Sequence, residues 1–88
     1  MKWEIGYSKR AYDFILEHGA RDKINAVVKD FILKITGANI NVDVKKLKGE
    51  WSGYYRIRKG KIRVILKPNT MSGIIFVDIV DFRGNVYK

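Results

Sequence analysis

Arginine and lysine alternate with other residues on either side of Lys59-Gly60 in the run Tyr54-Tyr55-Arg56-Ile57-Arg58-Lys59-Gly60-Lys61-Ile62-Arg63-Val64-Ile65. A guanidinium presents a planar fork of donors that matches two phosphate oxygens at once, and an ammonium adds a compact point charge. Such groups on one surface suit the gripping of a phosphate and the neutralising of extra charge on it. The alternation predicts two strands, since successive strand side chains point to opposite faces. Lys59-Gly60 is the expected two-residue connection, with glycine supplying the positive φ that such turns need. In that register Arg58 faces Lys61 and Arg56 faces Arg63, while Ile57 pairs with Ile62 and Tyr55 with Val64 on a buried face. Like charges directly across a strand pair cost up to about 1 kcal/mol, so two such pairs imply a polyanion between them.

The charge balance points the same way. The chain has 88 residues and a net charge of +9, with eighteen basic and nine acidic side chains. Residues 1–44 carry seven basic and six acidic groups, whereas residues 45–88 carry eleven and three. A basic half of this kind attracts nucleic acid or acidic partners over long range. With no cysteine there is no disulfide framework, thiolate nucleophile or Cys-ligated metal. One histidine and the scattered carboxylates give no convincing metal set, so neither a metal nor a small-molecule cofactor is expected. No apolar run approaches the roughly 20 residues of a spanning helix, and Met1-Lys2-Trp3-Glu4 has no secretory core. These features lead to the expectation of a cytoplasmic protein without a membrane partner, and of one domain over residues 1–88.

The elements that must position the cations follow from periodicity. Trp3-Glu4-Ile5-Gly6-Tyr7 alternates as a short strand, and Ser8 is a fitting N-cap for a helix that stops at Gly19. Ala11, Phe14, Ile15 and His18 share one face of it. A second helix from Arg21 to Thr36 has Ile24, Val27, Val28, Phe31 and Ile35 at helical spacing and ends before Gly37. Ala26 and Leu33 lie off that stripe and are candidates to receive a partner segment. From Ala38 to Gly49 the period is lost. The apolar run Ile74 to Val80 predicts a well-buried central strand, reached through the turn-rich residues 67–73. The expected fold class is α+β: an N-terminal strand, a two-helix hairpin, then a mainly antiparallel sheet of three to four strands with the helices on one face. Arg56, Arg58, Lys61 and Arg63 would occupy the other.

This order of elements resembles the RelE/ParE toxin superfamily. The residues that carry the resemblance are Tyr7-Ser8-Lys9-Arg10-Ala11, Lys46-Leu47-Lys48-Gly49, the Tyr55–Ile65 hairpin and Arg83-Gly84-Asn85-Val86-Tyr87. The resemblance implies a RelE-like mRNA interferase: the toxin of a type II toxin-antitoxin pair, cutting messenger RNA in the ribosomal A site. Its partners would be a cognate antitoxin, the ribosome and mRNA. By motif, the catalytic positions would be Arg56, Arg58, Arg63, Arg83 and Tyr87. Lys45, Lys46, Lys48 and Lys61 would hold the RNA.

Cleavage by the 2′-hydroxyl requires a proton acceptor, neutralisation of the phosphorane and protonation of the departing oxygen. Arginine suits the second task and not the first. This chain has arginine at two hairpin positions where some RelE-like sites have lysine, which leaves the general base open. Tyr87 suits base stacking, proton transfer or capping of the core edge. Arg83 also has ion-pair partners to hand in Asp78 and Asp81, and Trp51 fits packing ahead of base stacking. Two further functions fit the same scaffold: a ParE-type toxin that inhibits DNA gyrase by protein contact, and a non-catalytic RNA-binding module.

Overall fold

The computed structural model describes residues 2–82. In chain order these form β1 (Glu4–Tyr7), α1 (Lys9–His18), α2 (Arg21–Ile35), β2 (Asp43–Lys46), a single 3-10 turn (Gly49–Trp51), β3 (Tyr55–Lys59), β4 (Ile62–Asn69) and β5 (Ile74–Phe82). The strands make one sheet in the order β1-β5-β4-β3-β2, parallel between β1 and β5 and antiparallel elsewhere. Arg83 to Tyr87, including two expected site residues, lie outside the described residues.

Local chemistry sets the helix boundaries. Ser8 sits in extended backbone and its Oγ accepts the Ala11 N–H at 3.1 Å, capping α1. The same hydroxyl donates to the carbonyl of Asp78 on β5, so the cap also fastens the helix to the sheet. Gly19 stops α1 at φ 57, a conformation that a Cβ would disfavour. Only Gly19 and Ala20 separate α1 from α2, which forces the helices into a tight hairpin. Ile24, Val27, Val28 and Phe31 of α2 are buried against Ile57, Val64, Leu66, Ile75 and Val77 of the sheet. Ile35, expected on that stripe, closes the last turn of α2 and is exposed.

Three features differ from expectation. The first is β2, a short edge strand within the supposedly aperiodic segment. Val42 and Val44 are half-buried while Asp43 and Lys45 are exposed, a period of two that lasts too briefly to stand out. The second concerns Ile74 to Val80, which is interior but covered on one face only, because Ile74 and Phe76 remain exposed on the other.

The third is the hairpin register. The turn is Gly60-Lys61, not Lys59-Gly60, so Lys59 pairs with Ile62, Arg58 with Arg63, Ile57 with Val64 and Arg56 with Ile65. Gly60 has φ 58 and no non-glycine residue among the described residues has positive φ, which is the sign pattern of a type II′ turn with glycine first. Lys61 is therefore in the turn and off the strand face. Every cross-strand partner moves by two residues, but each side chain keeps its face.

Candidate phosphate-binding face

The helices cover one side of the sheet and leave the other open. Across that open side runs a row contributed by four strands: Asp43 on β2, Arg58 on β3, Arg63 on β4 and Asp81 on β5, each directly paired with the next. The two like charges that meet at the centre are thus flanked by carboxylates. The next row is Lys45, Arg56, Ile65 and Ile79.

The three arginines are held differently. Arg63 is 4% exposed and forks onto Asp81, Nε to Oδ1 and Nη2 to Oδ2, both at 3.1 Å. Arg56 reaches diagonally to Asp43, Nη2 to Oδ1 at 3.5 Å, with its side chain 14% exposed. Arg58 makes no ion pair with the described residues. The Nε atoms of Arg56 and Arg58 are both buried and meet no hydrogen-bond acceptor. A buried charged donor without an acceptor is costly, and an arriving oxyanion removes that cost. The row therefore consists of a fixed arginine beside one whose donors await a ligand.

Of the expected RNA-holding lysines, Lys45 shares this open face. Lys46 pairs with Tyr55, whose ring packs on Phe31 at 5.3 Å between centroids, and so belongs to the helix side. Lys48 is exposed in the loop before the 3-10 turn, and Lys61 is exposed at the hairpin tip. Asp78 pairs with Arg10 at 3.2 Å and Asp81 with Arg63, while Arg83, for which both were named as partners, lies outside the described residues. His18 packs between Phe14 and Phe82, with centroids 4.2 and 5.0 Å away, on the helix side and remote from the arginines.

Sequence reasoning missed Asp43 and Asp81 as members of the row. Asp43 is the more exposed of the two, its side chain 54% accessible. No group of three or more potential metal ligands occurs among the described residues. A cavity of about 660 Å³ lies on the helix side between β1 and the start of α2, lined by Trp3, Tyr7, Tyr12 and Leu16 among others. There the Tyr7 phenol donates to Asn25 Oδ1 at 3.2 Å, and burial pushes its pKa up, opposed by Arg21.

No family model matches this sequence, and no curated protein does. Solved structures do. Over 93% of this chain and 94% of the other, the toxin of the RelB-RelE antitoxin-toxin complex from Methanococcus jannaschii superposes with a TM-score of 0.63 at 26% identity. The archaeal RelE-RelB complex from Pyrococcus horikoshii matches with a TM-score of 0.66 at 23% identity, covering 98% and 100%. The YoeB-YefM toxin-antitoxin complex from Staphylococcus aureus gives 0.67 at 21%, covering 94% and 99%.

The likeness is to the RelE-like toxin superfamily, and it supports membership. Its α+β fold, with an N-terminal strand, two helices and a five-stranded mixed sheet, is the RelE-like one. No helix among the described residues of this RelE-like chain is long and apolar enough to cross a membrane.

Proposed function

We propose that this RelE-like chain is the toxin of a type II toxin-antitoxin pair and a ribosome-dependent endoribonuclease acting in the cytoplasm on mRNA in the A site. The observation that carries this reading is the Arg58–Arg63 pair at the centre of the open face, with the buried Nε of Arg58 lacking an acceptor. Two guanidinium groups on neighbouring strands bracket one phosphodiester, Arg63 aligned by Asp81 and Arg58 swinging its donors onto the scissile phosphate. Charge that develops on the phosphorane is stabilised there by groups already in place. Asp43, whose carboxylate heads the same row, is the acceptor for the 2′-hydroxyl proton. Arg56 and Lys45 in the adjoining row hold a neighbouring phosphate, and Arg83 and Tyr87 complete the site by motif.

A cognate antitoxin is the second partner, as in the complexes in which the similar toxins were crystallised. It silences the chain by bringing acidic and apolar side chains to the basic face.

The test is expression in cells followed by primer extension on messenger RNA. Cuts in ribosome-bound message are expected from the wild type, and Arg58→Ala should lower cleavage by roughly 100-fold or more. DNA damage linked to gyrase, with intact message, would assign the chain to the ParE-type activity instead. Absence of any growth effect would leave a non-catalytic RNA-binding module.

A further inference from the structure

The open face does not end at the arginines. Two residues farther along β4 from Ile65 comes Lys67, paired with Phe76 of β5. On its other side Lys67 places Nζ over the Tyr54 ring at 5.5 Å from the centroid, and Trp51 meets that ring edge-on at 5.0 Å. Gly53, at φ 91, lets the chain turn beside Lys67, in a backbone conformation that a side chain would strain. Across the sheet Phe76 pairs with Gly6, which has no side chain to cover the ring, and Phe76 is 37% exposed. Tyr54, Lys67 and Phe76 thus form a third row on the same face. Half-buried Ile65 and Ile79 join it to the arginines.

We propose that this third row is a second nucleotide subsite, in which Phe76 stacks on a base of single-stranded RNA while Lys67 holds the adjoining phosphate. It deepens the RNA-cleaving reading above and rests on it. Along β4 the open-face residues run Arg63, Ile65, Lys67, and along β3 they run Arg58, Arg56 and then Tyr54. Cation, apolar surface and cation again match a polymer that alternates phosphate with flat, weakly polar bases. Four strand residues span about 14 Å, so one phosphate cannot touch both Arg63 and Lys67. The subsite therefore serves a nucleotide other than the one being cut. Stacking on an aromatic ring tolerates any base, so it sets affinity and the path of the strand more than sequence preference.

The experiment measures binding of two oligoribonucleotides to the full chain at low salt, a dinucleotide long enough for the arginine row alone and a hexanucleotide that reaches both. Phe76→Ala and Lys67→Met should each weaken the hexanucleotide roughly ten-fold and leave the dinucleotide unchanged. Phe76→Tyr, which keeps a ring, should retain wild-type affinity, while Arg58→Ala should weaken both ligands. Thermal unfolding of each variant checks the fold, which an exposed side chain does not hold together. Unchanged hexanucleotide affinity in Phe76→Ala, with Arg58→Ala still impaired, overturns the subsite and leaves the cleavage reading standing. If Phe76→Ala instead loses only antitoxin binding, the row belongs to a protein partner and the proposal falls. Failure of the wild type to bind either oligonucleotide removes the subsite and leaves the ribosome-dependent reading to the primer-extension test.

Discussion

Arg63 and Arg58 stand side by side yet respond to mutation for different reasons. Arg63 is buried and held by two hydrogen bonds to Asp81, so Arg63→Ala strands a carboxylate that is itself only 17% exposed. Removing one partner of such a pair costs about 3–5 kcal/mol, and a loss of activity in that variant would be mixed with a loss of fold. Urea denaturation should show Arg63→Ala and Asp81→Ala destabilised by about 3 kcal/mol each, with much of this recovered in an Arg63→Met, Asp81→Leu double variant that stays inactive. Arg58 has no ion pair among the described residues to lose. The sequence showed which side chains bear the charge, because alternation alone puts Arg56, Arg58 and Arg63 on one face. It did not show Asp43 and Asp81 beside them. Those carboxylates sit in strands far away along the chain and reach the arginines only through long-range pairing.

The elements were readable where one local signal sufficed. Ser8, Gly19 and Gly37 marked both helices to within a residue, because caps and αL stops act over one turn. The hairpin turn was off by one position, since a glycine of positive φ fits either place in a two-residue loop and local sequence does not choose between them. Strand β2 escaped because four residues carry too little periodicity, and its pairing with β3 is what makes it a strand. Ser8 ties two elements together, capping α1 and reaching the Asp78 carbonyl where the β4–β5 register shifts between Ile65 and Leu66. Ser8→Ala should therefore cost about 1–2 kcal/mol, toward the upper end for a helix cap, as read from the denaturation midpoint at unchanged slope.

Taken together, the described residues form a two-sided body: helices and the cavity beside β1 on one side, arginines, lysines and exposed rings on the other. The excess charge of residues 45–88 is therefore only partly a property of the open face, because Lys46 and Lys59 point toward the helices. The salt dependence of RNA binding reports the difference. With three to five phosphate contacts, the log–log slope against salt should fall between about −2 and −3.5. Lys45→Met should reduce it by about 0.7, and Lys46→Ala should leave it unaltered.

The first strand made has its partner in the last strand described: β1 pairs with β5, and β5 also supplies the Asp81 that orients Arg63. During synthesis neither contact exists until β5 has emerged, and closing so long a loop is slow. A copy released early from translation would lack both the aligned arginine and the edge of its sheet. The sheet edge and the alignment of Arg63 thus both wait on residues 74–82, the last strand described.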